Sequence, residues 1–180
     1  MTDALFFLVS TVIKLYLMVV VLRLWLQAAR ADFYNPFSQF IVKATNPVVI
    51  PLRRFLPSLG GFDTGTWLLA FVICLLHVSI TQFYQMGQLF VAYLPLGALV
   101  LLVTEILQLL FWILVIRALL SWFSQGNNPM ELVLMQLTEP LLRPIRRVIP
   151  SMGGLDLSVL VLLLGLQFVQ ILLQNLLRGF

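Results

Sequence analysis

Four long runs of apolar residues divide the chain, and the polar positions collect between them. A spanning helix needs about 20 mostly apolar residues; the segments 4–26, 64–84, 97–120 and 157–177 qualify. Lys14 and Arg23 interrupt the first, His77 lies in the second, and Glu105 and Arg117 lie in the third. The fourth carries Ser158, Gln167, Gln170, Gln174 and Asn175 but no charge. The stretches between the runs have another rhythm. Phe37, Phe40, Ile41 and Ala44 are spaced as the apolar stripe of a short helix, and Met130, Val133, Leu134 and Leu137 repeat the register. Each stripe runs into a Thr-x-Pro (Thr45–Pro47, Thr138–Pro140). The residue before a proline is disfavoured in a helix, so the pattern predicts a break there and a second short segment. That segment sets Arg53-Arg54 among Val48, Val49, Leu52 and Phe55, and Arg146-Arg147 among Leu141, Leu142, Ile145 and Val148. A basic amphipathic piece of this kind prefers the headgroup plane of a bilayer. Asp63 and Asp156 then stand where the N-caps of the next spanning helices belong.

The polar stretches are copies of one another. Displaced by 93 residues, Asn35 to Asp63 matches Asn128 to Asp156 at 12 of 29 positions, all of them polar, Pro or Gly. Matches between greasy helices would instead be apolar. Two helices per copy give the halves parallel topology, since inverted repeats need an odd number. The expected fold is therefore an all-α integral membrane protein. Its four transmembrane helices form two parallel-topology repeats of helix, amphipathic cytoplasmic loop and helix. The first repeat covers 1–90 with its loop at 27–63, and the second covers 91–180 with its loop at 121–156.

Composition agrees. Of 180 residues 61% are hydrophobic and 18 are charged (11 basic, 7 acidic), whereas a soluble domain carries about 25% charged residues. A single cysteine, Cys74, excludes a disulfide scaffold. Ala29-Arg30-Ala31 mimics a signal-peptidase site, but Asp3 in the n-region, the length of the apolar run and Lys14 in its middle favour a retained helix. Orientation follows from the basic residues. One long connection holds Arg30, Lys43, Arg53 and Arg54, and the other holds Arg143, Arg146 and Arg147. The connection 85–96 and the N-terminal tail hold none. The positive-inside rule places both long loops in the cytoplasm and both termini outside. Arg23 and Arg117 are then expected to snorkel to the headgroups, with Trp25 and Trp122 as interfacial anchors.

The twice-repeated Pro-x-Arg-Arg-x-x-Pro-Ser-x-Gly-Gly-x-Asp, each copy between two spanning helices, resembles the YggT/YlmG family of bacterial and plastid membrane proteins. The resemblance covers both halves, and two copies look like the bacterial YggT form. It implies a small multi-pass protein of the bacterial inner membrane without catalysis. Members are placed near cell division, plastid organisation and cytochrome assembly, and are linked to osmotic-stress tolerance. The copies depart from each other where Asn46 becomes Glu139 and Ile50 becomes Arg143.

Three groups of residues could carry chemistry. Arg53, Arg54, Arg143, Arg146 and Arg147 could bind anionic lipid headgroups or an acidic cytoplasmic protein, each basic residue contributing about 1 kcal/mol near an anionic surface. They could equally serve topology alone. Asp63 and Asp156 could cap helices or pair with the neighbouring arginines. Lys14, His77, Glu105, Gln108 and Gln170 fall, at about 1.5 Å per residue, between the outer face and the midplane. A charge at the centre of a spanning helix costs about 2.5–3.5 kcal/mol and so needs a partner. A Lys14–Glu105 ion pair completed by His77 and the glutamines is expected, either to fix helix packing or to line an ion path. A bis-histidine haem site would need a second histidine, and the chain has one. No phosphate-binding loop, nucleophile elbow or zinc motif is present.

The sequence thus reads as a non-enzymatic docking factor in envelope maintenance or osmotic-stress tolerance, with no metal, cofactor or nucleic acid. Its expected partners are membrane lipids, a cytoplasmic protein and further copies of itself. The alternative is an oligomeric ion channel or transporter built on Lys14, His77 and Glu105.

Overall fold

The computed structural model describes residues 2–56, 63–123, 129–149 and 156–178. The Pro57-Ser58, Gly60-Gly61, Asn128, Pro150-Ser151 and Gly153-Gly154 positions of the repeated motif lie outside the described residues, as does the Trp122 side chain. Among the described residues six α-helices follow in order: α1 (Thr2–Ala28), α2 (Pro36–Phe55), α3 (Thr64–Met86), α4 (Leu94–Phe123), α5 (Pro129–Val148) and α6 (Leu157–Arg178). A 3-10 turn at Val91–Tyr93 precedes α4, and no strand occurs among the described residues. Four of the helices, α1, α3, α4 and α6, are long and apolar enough to cross a membrane. Many of their large apolar side chains are exposed, Phe7, Leu8, Val72, Leu164 and Phe168 among them. That surface suits hydrocarbon as its solvent.

The expected break at Thr-x-Pro does not occur. Both α2 and α5 run through two internal prolines, Pro47 and Pro51 in one and Pro140 and Pro144 in the other. Each proline removes a donor from the carbonyl four residues earlier. All four lie on the exposed side of their helices, where water can satisfy those carbonyls. The buried face of α2 also differs from the apolar stripe. Phe40 and Ala44 are exposed, and the buried positions are Ser38, Ile41, Thr45 and Val49. The spacing is still helical, but two of the four residues are hydroxyl-bearing. In α5 the expected stripe is largely kept, with Val133, Leu134, Leu137, Thr138 and Leu142 buried.

The chain packs as two compact units whose limits cut across α1, α2 and α4 and are not the sequence halves. The first comprises Met1–Leu24 and Phe40–Glu105, the second Trp25–Gln39 and Ile106–Phe180. In the first, Leu17, Val20, Ile41, Val49, Ala70, Cys74 and Ala98 are buried. The start of α1 is fastened to the end of α3, where Phe6 stacks on Tyr84 (centroids 3.9 Å apart) and the Tyr84 hydroxyl donates to Asp3. The second is built on Leu110, Leu114, Leu142 and Leu166, with Trp25, Phe111 and Leu141 packed around them. The Trp25 indole donates to the Leu137 carbonyl (2.9 Å), and the Asn35 amide donates to the Pro129 carbonyl (2.7 Å).

Helix α1 ends on a left-handed residue. Arg30 has φ +51°, its N–H bonds the Gln27 carbonyl at 3.1 Å, and the Ala31 N–H bonds that of Leu26 at 2.9 Å. This is the Schellman arrangement, in which glycine is favoured because a Cβ is strained there. Replacing Arg30 with Gly should raise stability by about 1 kcal/mol, read as a higher melting temperature of the detergent-solubilised protein.

Candidate functional site

Polar chemistry concentrates where α2 and α5 meet the ends of the long helices. In the first unit Arg23 leaves α1 near its C-terminal end and is only 4% exposed. Its Nη1 donates to Thr45 Oγ1 (2.5 Å), Asn46 Oδ1 (2.9 Å) and the Val42 carbonyl (3.4 Å). The Thr45 hydroxyl donates in turn to the Ile41 carbonyl at 2.7 Å. Arg23 therefore does not snorkel to the headgroups, because α2 brings oxygen acceptors to it. In the second unit Arg117 Nη1 donates to Thr138 Oγ1, which donates to the Leu134 carbonyl (2.8 Å), and Arg117 also lies 3.9 Å from Glu139. A threonine is suited to this place because one hydroxyl can accept from a guanidinium while donating to its own helix.

The arginine pairs divide their labour. Arg53 meets Asp63 in a two-point bond, Nε to Oδ1 at 3.1 Å and Nη2 to Oδ2 at 2.5 Å. Asp63 also accepts from the Thr66 N–H (3.4 Å) and from the Thr66 hydroxyl, so it caps α3 and holds Arg53 together. Arg146 meets Asp156 through Nε (3.0 Å) and Nη2 (2.5 Å), and Asp156 accepts from the Ser158 N–H at 3.2 Å. Gly65 makes room for the first pair, since a Cβ there would stand 3.3 Å from Arg53 Cγ. Arg54, Arg143 and Arg147 are exposed and make no ion pair among the described residues.

Burial on its own would raise the Asp63 carboxyl. The hydrogen bonds from Arg53 and Thr66, with the Arg53 charge, outweigh it and hold the group below its ordinary value. At Asp156 burial is likewise overcome by the Arg146 bonds and charge. The hydrogen bond to Asp63 raises Arg53, and that to Asp156 raises Arg146.

The intramembrane polar residues do not form the expected pair. Lys14 and Glu105 make no ion pair within 4.0 Å, although the Lys14 charge acts on both Glu105 and His77. Lys14 is exposed on α1 and makes no ion pair among the described residues. His77 is buried with Nε2 unpartnered, and it lines a cleft of about 330 Å³ with Thr81, Gln82, Gln85 and Met86. These three belong to the first unit, whereas Gln108 and Gln170 belong to the second. Gln108 is exposed there, and Gln170 Nε2 is buried without a partner. No cluster of three or more metal-ligating side chains occurs among the described residues.

A family model described as CCB3/YggT matches residues 2–84 and again 96–177. The chain belongs to the CCB3/YggT family. It is 58% identical to a Vibrio alginolyticus protein named for its place in the 3′ region of proC, over 93% of this chain and 91% of that one. It is 46% identical to the YggT protein of Escherichia coli K12 (93% and 87%) and 41% identical to a Haemophilus influenzae protein (95% and 92%). None of these names states an activity. No solved structure matches the chain. In both matched segments of this CCB3/YggT protein a spanning-helix arginine donates to a buried threonine, and an Arg–Asp pair follows.

The Asp63 pair has a pH signature. A carboxyl held below its ordinary value adds stability that is complete above the ordinary carboxylate range and is lost as pH falls through the folded value. Asp63→Asn should cost about 1–2 kcal/mol at neutral pH, the lower part of the charged-bond range because Arg53 is 44% exposed. The deficit should shrink below about pH 4. Asp156→Asn should cost less, since the Asp156 side chain is 32% exposed against 1% for Asp63. Thermal melts of both variants across this range check the order.

Proposed function

We propose that this membrane protein is a non-enzymatic lipid-docking factor whose two structured connections lie in the headgroup layer of the bacterial inner membrane. In this reading the chain is two parallel-topology repeats with both termini outside. Helices α2 and α5 are the amphipathic elements, held against the cytoplasmic leaflet. The observation that carries it is the division within each arginine pair. Arg53 and Arg146 are held by aspartates, while Arg54 and Arg147 remain exposed without an ion pair among the described residues. Around them the exposed surface mixes Lys43 with Phe40, Val48 and Phe55 on α2, and Arg143 with Leu132, Met135 and Val148 on α5. Topology alone needs positive charge but not exposed aromatic and aliphatic side chains beside it. A headgroup layer satisfies both, with about 1 kcal/mol for each basic residue near an anionic surface. Envelope maintenance and osmotic-stress tolerance follow from the family resemblance, as the setting in which such docking would act.

An ion-conducting oligomer is a second reading, supported by the unpartnered His77 Nε2 at its cleft. Liposome ion flux separates the two. The docking reading expects no flux that depends on Glu105, whereas flux abolished by Glu105→Ala in folded protein would favour conduction.

Depth measurement tests the docking itself. Nitroxide labels on Phe55→Cys and Val148→Cys, in a Cys74→Ala background, should report headgroup depth in anionic bilayers by power-saturation spectroscopy. Reversing Lys43, Arg54, Arg143 and Arg147 to Glu should move both labels toward water. Labels that are fully aqueous in the unreversed protein would sink lipid docking.

A further inference from the structure

The two guanidinium frames differ by one carboxylate. In the second unit Arg146 uses Nε and Nη2 on Asp156 and Nη1 on Glu139, at 3.0 and 3.3 Å to the two oxygens. Glu139 stands 3.9 Å from Arg117 as well. The set of Arg117, Arg146, Glu139 and Asp156 is neutral. In the first unit Arg53 uses the same Nε and Nη2 on Asp63, but the residue in the place of Glu139 is Asn46. Asn46 Oδ1 accepts from Arg23 Nη1, which leaves the amide Nδ2 as a donor. Arg53 Nη1 has no partner among the described residues, and its side chain is 44% exposed. The Arg53 charge also acts on buried Arg23. Arg23, Arg53 and Asp63 therefore carry one positive charge more than they balance.

We infer that the first unit binds an external oxyanion, the phosphodiester of an anionic phospholipid headgroup, between Arg53 Nη1 and Asn46 Nδ2, where the second unit supplies Glu139. A phosphate oxygen accepts from a guanidinium and an amide as a carboxylate does. The site stands at the ends of spanning helices: Asp63 directly precedes α3, and Arg23 lies in the last turns of α1. On the membrane placement proposed above, on which this site rests, a lipid headgroup lies at that level, and exposed Trp67 and Leu68 near the start of α3 give its acyl chains an apolar neighbour. The site stands apart from the outer basic face, because neither Lys43 nor Arg54 takes part in it.

Native mass spectrometry of the full chain in mild detergent, titrated with phosphatidylglycerol, tests the assignment. The unaltered protein should retain one lipid. Asn46→Glu, which supplies the missing carboxylate, should weaken that retention at least tenfold while keeping its melting temperature. Glu139→Asn, which opens the equivalent place, should add a second retained lipid. Lys43→Gln with Arg54→Gln should leave retention intact, even where it reduces vesicle attachment. Retention unchanged by Asn46→Glu would overturn the site. Loss of the lipid with Lys43→Gln and Arg54→Gln would instead move it to the outer face and overturn it too. Inorganic phosphate should not displace the lipid at millimolar concentration; equal stabilisation by phosphate and by phosphatidylglycerol would overturn the lipid assignment in favour of a free anion.

Discussion

Two hydrogen bonds from an arginine to an aspartate ten residues later tie each connection to the next spanning helix, and the rest of the arrangement hangs on them. Asp63 is at once the acceptor for Arg53 and the cap of α3. One carboxylate thus fixes where α2 ends and where α3 begins. Arg23 meets α2 about two turns before Arg53, so two guanidiniums tie α1, α2 and α3 together. Exposed ion pairs are worth about 0–1 kcal/mol, and this pair exceeds that class because its acid is enclosed and every oxygen is used. Arg146 and Asp156 repeat the device where the acid is more open.

The prolines belong to the same design. A proline inside a helix costs about 3 kcal/mol through a lost hydrogen bond and a clash with the preceding turn. Helices α2 and α5 carry two each and remain continuous. The cost is reduced because the prolines and their released carbonyls face outward, so the buried face keeps its hydrogen bonds. On that buried face Thr45 and Thr138 each accept from a spanning-helix arginine. Rigid proline turns outside and charged bonds inside give a connection whose outer side chains are set by the fold.

The sequence made the spans legible because a run of about 20 apolar residues has few other uses. The aspartates were legible through the grammar of helix starts, though not their double duty. Less could be read where a polar residue did the work of an apolar one. Thr45 and Ser38 are buried on α2 while Phe40 is not, so the apolar stripe pointed to the wrong face. The expectation that Arg23 snorkels failed for a related reason: its acceptor lies 22 residues away, and only the fold brings Thr45 to it. Gly65 could not be interpreted before Arg53 was seen to lie against it. The Lys14–Glu105 pair failed because equal depth along two helices says nothing about which way either side chain faces.

The likeness between the two polar connections makes their remaining difference informative. Two copies of one frame, with the same arginines, threonines and aspartates, are expected to settle to the same charge balance unless something outside the chain compensates. The Glu139 network closes internally, since each of its two guanidiniums finds a carboxylate. The Asn46 frame does not, and its excess charge is shared between buried Arg23 and an Arg53 that is 44% exposed. The outer residues Lys43, Arg54, Arg143 and Arg147 are exposed as well, and no aspartate fixes them, so each weakens with ionic strength as any surface charge does. Positive charge is thus left in two settings, on outer side chains that no carboxylate holds and at an Arg53 that Asp63 holds in place with Nη1 still free among the described residues. A single asparagine in place of a glutamate separates them.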